Sequence, residues 1–169
     1  DKSGLQTGTW NQSGIDIISD INSIPVPDAS FDVIICTEVL EHLSDPPRAL
    51  EEFSRILKKG GILLVTAPFY SATHFAPYHF YAGFNRYFYR EHLGRTGFEI
   101  AELKASGNFF EAMAQQLVIT PAIAKQYSWR LSSFFMWFLI LPLLLLLRII
   151  GKRDKFSNDL FCFGYFVKA

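Results

Sequence analysis

The chain has 169 residues, with 16 basic and 16 acidic side chains and therefore a formal net charge of zero. This length suits one domain with a real core, and the balanced charge gives no electrostatic reason to expect a nucleic-acid partner. The two cysteines, Cys36 and Cys162, lie in predicted buried strands. Their number and placement argue against a disulfide framework and favour reduced thiols in a cytoplasmic protein, and their spacing excludes a zinc motif.

The first third of the chain predicts two strands and the start of a helix. Residues 1–14 are polar and rich in glycine, which predicts a loop. Residues 15–19 predict a short strand, and residues 31–37 are an almost continuous apolar run, as expected of a parallel strand buried on both faces. Asp45 followed by Pro46 is typical of a helix N-terminus.

A glycine pair separates the predicted helix from the next strand. Gly60 and Gly61 are predicted to end the helix, and residues 62–67 predict a third strand. Residues 69–88 then form an aromatic loop that contains histidines. Loops of this length inside a compact domain are usually functional lids or are disordered, and the aromatic content favours a lid.

The elements after this loop complete an alternating pattern. Residues 89–96 predict a short helix and residues 98–103 a fourth strand. Strands that alternate with helices indicate an α/β fold, with a parallel sheet covered by helices on both faces.

The last third of the chain is more apolar. Residues 108–120 predict an amphipathic helix broken by Pro121, residues 131–150 are almost wholly apolar, and residues 160–167 predict a final strand. Twenty apolar residues would span roughly 30 Å as a helix, enough to cross a bilayer. If the final strand joins the sheet, however, both ends of the segment must lie on one side of a membrane.

Three alternatives remain. The segment forms an interfacial or re-entrant hairpin with residues 108–120, or a buried helix packed on the core, or a membrane span with no final strand. The basic residues that follow it favour membrane-surface association.

One stretch of sequence resembles a known family. It runs S-D-I-N-S-I-P-V-P-D-A-S-F-D-V-I-I-C-T-E-V-L-E-H-L over residues 19–43, and it is similar to the second half of class I S-adenosylmethionine-dependent methyltransferases of the small-molecule type. The resemblance implies a Rossmann-like, doubly wound sheet of seven strands, of which this chain supplies the last five. The family's first strand and glycine-rich loop have no counterpart here, and the chain starts at Asp1. We therefore expect an N-terminally truncated fragment, which would itself be inactive if the missing part is required.

The resemblance also implies a division of the chain. Residues 1–106 correspond to a methyltransferase core, residues 107–159 to a helical hydrophobic insertion, and residues 160–169 to the final strand of the core.

The resemblance assigns the cofactor-binding residues. Asp20 is expected to accept a hydrogen bond from the adenine amino group, and the backbone amide of Ile21 to meet the ring. Thr37 and Glu38 are expected near the methionine part of S-adenosylmethionine, and Asp1 is a candidate for binding the ribose hydroxyls. The alternatives are that Asp20 only forms a turn and that Asp1 is simply the residue at a cut.

Histidines are the candidate catalytic residues. A histidine side chain has an unperturbed pKa near ~6.5, so His42 could accept a proton from an acceptor hydroxyl. Alternatively, His42 lines the cofactor site or packs locally, while Glu38 and Glu41 favour a helix N-terminus. His74 is the second candidate, because H-x-x-P at residues 74–77 resembles the start of a stretch in related methyltransferases.

His79, Arg86 and Tyr87 are the candidate substrate-binding residues. Arg86 is suited to an acceptor carboxylate or phosphate, and the alternative is an aromatic lid with a solvated arginine. We predict no metal site, because no acidic residue stands at ligand spacing from these histidines.

The expected activity is methyl transfer from S-adenosylmethionine to an O, N or C atom of a small-molecule or lipid-like acceptor. The alternative is a non-catalytic scaffold or a membrane-associated interaction protein with the same fold. A nicotinamide-dependent enzyme is disfavoured by E-V-L-E-H at residues 38–42. The expected location is the cytoplasm, with a peripheral or re-entrant contact to the membrane and no nucleic-acid partner.

Overall fold

The computed structural model describes the backbone of residues 14–128 and 130–169 and the side chains of residues 14–128 and 135–169. The predicted ribose ligand Asp1 lies outside the described residues. The described elements are the strands β1 (Phe31–Thr37), β2 (Leu57–Pro68), β3 (Glu102–Ser106) and β4 (Gly164–Lys168), the helices α1 (Pro46–Ile56), α2 (Arg86–Arg95), α3 (Phe109–Tyr127) and α4 (Arg130–Gly151), and two 3-10 turns at Leu40–His42 and Ser157–Asp159.

The four strands form one mixed sheet in the order β1-β2-β4-β3. β1 and β2 are parallel, since α1 carries the chain back between them, and β4 runs antiparallel to β2. The amide of Phe163 donates to the carbonyl of Ser106, and that of Ala101 to Lys168. β4 therefore starts where β3 ended and must run against it. The predicted α/β class is confirmed. The sheet, which was expected to be parallel, is mixed, since β1 and β2 are parallel but β4 is antiparallel to β2.

The described residues form four strands where five were predicted, because residues 15–19 form no strand. A strand exists only when a neighbouring strand pairs with it, and within the described range the segment makes only the isolated bridge between Asp20 and Ser23 at its end. Among the described strands, β1 pairs only with β2. Its side chains Val33 and Ile35 are 47% and 68% exposed, so they are not buried on both faces as predicted.

The glycine pair lies inside β2 and does not end α1. The helix ends at Ile56, and the strand begins at once with Leu57. Phe31 pairs with Leu57 but Val33 pairs with Ile62, so β2 carries extra residues that bulge out of the ladder. Gly60 supplies the positive φ of 77° that this bulge requires.

The N-terminus of α1 forms as predicted. The side chain of Asp45 accepts a hydrogen bond from the amide of Arg48 at 3.2 Å, and prolines occupy the first turn. The apolar face of the helix buries Leu50, Phe53 and Ile56. These side chains form the core of this part of the fold with buried residues of the sheet, which include Leu63, Val65 and Val167.

Helix α2 begins three residues earlier than predicted. The side chain of Asn85 accepts hydrogen bonds from the amides of Tyr87 and Phe88 at 3.0 and 3.1 Å, which caps the helix at that point. Arg86 and Tyr87 consequently lie in the first turn of α2, and the preceding loop covers residues 69–85.

The last two strands begin later than predicted, at Glu102 and Gly164. Gly97 has a φ of 84° and ends the turn after α2, so the residues that follow it first cross to the sheet. A 3-10 turn at Ser157–Asp159 directly precedes the segment that was predicted as strand, and residues 160–163 of that segment lie between this turn and β4.

Helix α3 continues through Pro121 and does not break there. The missing amide of Pro121 costs one hydrogen bond. A full capping box fixes the start of the helix: the side chains of Asn108 and Glu111 each accept a hydrogen bond from the other's backbone amide. α3 packs against α4, and the end of α4 at Gly151 lies beside Phe110 at the start of α3. The two helices therefore form an antiparallel hairpin.

The alternative of a membrane span without a final strand is excluded, because β4 is formed. Over the part of the chain that the structure describes, no helix is both long and apolar enough to cross a membrane.

The chain divides into two compact units. One comprises the residues up to Lys104 together with Gly164–Ala169, and the other is Ala105–Phe163, which contains α3 and α4. The first unit holds most of the sheet and all of the predicted site residues that the structure describes. The division into a core, an insertion and a final strand remains a prediction.

Candidate functional site

The turn after β1 places Glu38 at the carboxyl end of the sheet, in an uncommon conformation. Its φ is 52°, in the left-handed region that non-glycine residues rarely adopt. Two bonds hold it there: its amide donates to the carbonyl of Thr66 at 2.9 Å, and the Thr66 hydroxyl donates to its Oε1 at 2.9 Å. Strained residues of this kind persist where the surrounding structure fixes them and are frequent at functional sites. Thr37 ends β1 directly before this turn.

Asp20 forms a tight turn. Its Oδ1 accepts a hydrogen bond from the amide of Asn22 at 2.8 Å, and its carbonyl accepts one from Ser23 at 3.0 Å. This geometry matches the turn-forming role, and because the carboxylate is exposed its second oxygen can still accept a bond from a ligand. Ile21 lines an apolar cleft beside β1 together with Thr37, so the structure brings these two predicted cofactor residues to one place.

A pair of side chains from α1 fixes the segment after this turn. Glu52 is 4% exposed and accepts hydrogen bonds from the amide of Ile24 at 2.7 Å and from Arg55 at 2.6 and 2.9 Å. Arg55 also donates to the carbonyls of Ile24 and Val26. The bond from Arg55 holds the pKa of Glu52 well below its usual range, at about 2. Sequence analysis missed both residues, since nothing in the α1 pattern separates them from surface charges.

Three histidines meet at the loop that follows β2. The ring centroids of His42 and His74 are 4.7 Å apart, those of His74 and His79 are 4.7 Å apart, and those of His42 and His79 are 5.9 Å apart. The structure thus joins both candidate catalytic residues and one predicted substrate residue. The burial of His79 and the charges of His74 and His42 lower its pKa.

Glu41 lies beneath this histidine cluster and is 1% exposed. Burial raises the pKa of its carboxyl group. Its backbone carbonyl accepts the amides of Phe80 and Tyr81 at 2.9 and 3.2 Å, which ties the loop after β2 to the 3-10 turn. Among the described residues, Glu41, His42 and His74 form the one group whose ligand atoms lie close enough together to hold a metal ion.

Two further buried groups lie near these acids and were not predicted as site residues. Tyr89 is fully buried, and burial followed by the charges of Glu38 and Glu41 raises the pKa of its hydroxyl. Burial and the charge of Glu41 raise the pKa of the Cys36 thiol to about 12. Cys36 is therefore a protonated, unreactive thiol, and both cysteines are free and buried as predicted.

Arg86 and Tyr87 occupy the start of α2. The guanidinium carbon of Arg86 lies 6.0 Å from the centroid of the Tyr165 ring, a cation–π contact that orients the side chain. Tyr87 is 68% exposed. The roles of all these side chains in binding or catalysis remain predictions.

Comparisons with known proteins agree with the resemblance found in the sequence. Residues 6–65 match the family described as "Methyltransferase domain". A probable S-adenosylmethionine-dependent methyltransferase of Mycobacterium tuberculosis is 40% identical over 50 residues, which are 30% of this chain and 18% of that protein. The malonyl-[acyl-carrier protein] O-methyltransferase of Serratia marcescens is 38% identical over 48 residues, 28% of this chain and 19% of that protein. The matches thus cover less than a fifth of the length of these curated relatives.

A similar fold occurs among solved structures. A candidate sarcosine dimethylglycine methyltransferase of Galdieria sulphuraria superposes with a TM-score of 0.53 at 16% identity, over 94% of this chain and 62% of that one. The sheet and helices described above therefore have a methyltransferase-like α/β architecture.

Proposed function

We propose that this chain, which belongs to the class I S-adenosylmethionine-dependent methyltransferase family, takes part in methyl transfer from S-adenosylmethionine to a small-molecule or lipid-like acceptor. The match over residues 6–65 carries this proposal, because Asp20, Thr37 and Glu38 lie inside it. The cofactor supplies a methyl group that the positive charge of its sulfur already activates. The protein has mainly to position the two reactants and exclude water.

The residues at the carboxyl end of β1 suit such a cofactor. We assign the free oxygen of Asp20 and the backbone of Ile21 to the adenine, and Thr37 and Glu38 to the amino-acid end. Asp1 stays a candidate for the ribose. The apolar cleft shared by Ile21 and Thr37 supports this assignment, as does the fixed position of Glu38.

His42 and His74 are suited to accept a proton. The Nδ1 of His42 bonds the carbonyl of Tyr78, and that of His74 bonds the carbonyl of Ala72 at 2.9 Å. A carbonyl can only accept, so each Nδ1 carries the hydrogen and each Nε2 of a neutral ring has a free lone pair. Such a nitrogen can act as a general base toward a protonated acceptor.

We assign the acceptor to the side of the site formed by His79, Arg86 and Tyr87. The Ser71 hydroxyl bonds Nε2 of His79 at 3.1 Å and fixes its ring. The cation–π contact orients the Arg86 guanidinium at the start of α2, where Tyr87 is exposed, and a cation beside an aromatic ring suits an anionic or planar acceptor.

We expect the substitution Asp20→Asn to weaken S-adenosylhomocysteine binding by about tenfold in the full-length protein, since one charge-assisted hydrogen bond is lost. Isothermal titration calorimetry measures the effect. The control is Asp16→Asn, which removes an exposed carboxylate four residues away and should leave the affinity unchanged. Equal affinities for all three proteins would contradict the role of Asp20, and no binding to any of them would support the scaffold alternative.

We also propose that the acceptor is lipid-like and that the α3–α4 hairpin contacts a membrane surface. The hairpin exposes large apolar side chains in the described part of α4, among them Phe138, Leu139 and Leu145 at 66, 77 and 60%. Basic residues follow them at the end of α4, at positions 148, 152, 153 and 155, and such residues favour an anionic lipid surface. The free cysteines fit a reducing compartment, so the proposed location is the cytoplasmic face.

The double substitution Phe138→Glu and Leu139→Glu is expected to reduce co-sedimentation with phosphatidylglycerol vesicles by at least about tenfold. Burial of two such side chains contributes roughly 1.5–3 kcal/mol each. Gln115→Glu, at an exposed polar position of α3, is the control for added charge. Unchanged sedimentation of the double variant would rule out the apolar face of α4 as the contact.

A further inference from the structure

The sequence showed no acidic residue at metal-ligand spacing from the histidines, but the fold places Glu41 next to two of them. Glu41 and His42 come from the 3-10 turn after β1, and His74 comes from the loop after β2. One ligand atom from each of the three side chains lies within 4.8 Å of the others. Two imidazoles and one carboxylate are a common ligand set of zinc and related transition metals.

The hydrogen bonds of the two imidazoles match the pattern that metal-bound histidines make. In both His42 and His74, Nδ1 is engaged by a backbone carbonyl, that of Tyr78 and that of Ala72 respectively. These bonds fix the ring orientation and leave Nε2 as the coordinating nitrogen. Metal-bound histidines almost always have such a partner on the other nitrogen.

Glu41 gives the second, independent observation. Its side chain is 1% exposed, and within the described residues its Oε2 has no hydrogen-bond partner. Its Oε1 lies 3.7 Å from Nε2 of His42, too far for a hydrogen bond. Buried carboxylate oxygens are normally paired or coordinate a metal, so this oxygen is suited to coordinate an ion.

We propose that Glu41, His42 and His74 bind a divalent transition-metal ion of the zinc class. With bonds of about 2.1 Å, two ligands of a tetrahedral ion stand about 3.4 Å apart, close to the 3.7 Å between Glu41 and His42. His74 belongs to a loop without regular secondary structure, and movement of its side chain would bring its nitrogen to bonding distance of the ion.

An ion at this site would connect the turn after β1 to the loop after β2 and keep an open position. Three protein ligands leave the fourth position of a tetrahedral ion to water or to a substrate oxygen. A nitrogen that binds an ion cannot also accept a proton, so His42 and His74 would not act as general bases in a chain that holds the ion. The ion would instead polarise the acceptor. The proposal does not depend on methyl transfer, because binding is measured with the metal alone.

Titration of the untagged, EDTA-treated protein with Zn²⁺ against a competing chelator tests the site. We expect one ion per chain and a rise in melting temperature on binding. Glu41→Gln and His74→Ala should each weaken binding by more than about tenfold. His74→Ala changes a half-buried loop residue and guards against the case in which the buried Glu41 variant fails to fold.

The chain provides a matched control. His92 is the fourth histidine of the sequence and lies in the last turn of α2, outside the cluster. His92→Ala should retain the affinity and the thermal shift of the unaltered protein. The proposal is overturned if His92→Ala loses as much affinity as His74→Ala, or if the unaltered protein shows no saturable one-to-one binding.

Discussion

The substitution Glu52→Gln is expected to lower the free energy of unfolding by about 3 kcal/mol, because Arg55 loses its buried counter-charge and is left with the exposed carboxylate of Asp28 at 2.7 Å. Three hydrogen bonds of 2.6–2.9 Å converge on this carboxylate, two from Arg55 and one from the amide of Ile24. Urea denaturation at pH 7 measures the loss. Glu51→Gln is the control: Glu51 is 55% exposed and pairs with Arg48 on the surface, so its removal should cost less than about 1 kcal/mol.

The same carboxylate makes stability depend on pH. Arg55 lowers the pKa of Glu52 from 4.5 to about 2 in the folded protein. A depressed pKa means that the stabilisation is fully present above pH 4.5 and is lost as the pH falls from 4.5 toward 2. The stability difference between the unaltered protein and Glu52→Gln should therefore shrink over this range. A difference that stays constant down to pH 2 would contradict the assigned interaction.

Local sequence signals predicted the elements that depend on local interactions. Asp45 and Pro46 start α1 because a capping side chain and a fixed φ act within one turn. The apolar run at β1 was placed with its bounds at Phe31 and Thr37. The type of each later element was also right, while its ends shifted by several residues where a cap such as Asn85 went unrecognised.

The secondary-structure predictions that were wrong concern segments whose structure depends on residues distant in the sequence. Gly60 and Gly61 have the composition of a helix end, but pairing of β2 with β1 turns them into a bulge inside a strand. Pro121 is compatible with a helix because α4 packs against α3. Residues 15–19 have the composition of a strand, yet composition supplies no partner to pair with.

The candidate site likewise contains residues that the sequence predicted and residues that only the fold reveals. Asp20, Thr37 and Glu38 became candidates through the family resemblance, which one continuous stretch of sequence carries. The contact between His42 and His74 could not be predicted, since 32 positions separate them and an irregular loop brings them together. Glu41 was interpreted as a helix-favouring acid, and only its burial beneath the histidines reveals an unsatisfied carboxylate. Tyr89 carried no signal, because a buried tyrosine in a short helix looks like core.

Glu38→Gly is expected to weaken S-adenosylhomocysteine binding by 10- to 100-fold, on the order of the loss of one charged hydrogen-bonding group, with almost no loss of stability. At a φ of 52° a glutamate costs about 1–2 kcal/mol relative to glycine. That gain offsets the lost bond to Thr66, worth about 1 kcal/mol. Calorimetry in the full-length protein gives the affinity, and thermal denaturation gives the stability.

Ala29 separates backbone strain from function, because it has nearly the same φ of 54° but no functional side chain. Ala29→Gly should raise stability by about 0.5–1 kcal/mol, the relief of strain less the extra entropy of glycine, and should leave cofactor affinity unchanged. Glu38→Gln completes the set, since it keeps the strained backbone and removes only the charge. If Glu38→Gly binds as tightly as the unaltered protein, the strain at Glu38 serves the turn alone. If Glu38→Gly and Glu38→Gln both lose affinity while Ala29→Gly does not, the carboxylate of Glu38 contributes to cofactor binding. That contribution would explain why a glutamate occupies a left-handed position that glycine would adopt without strain.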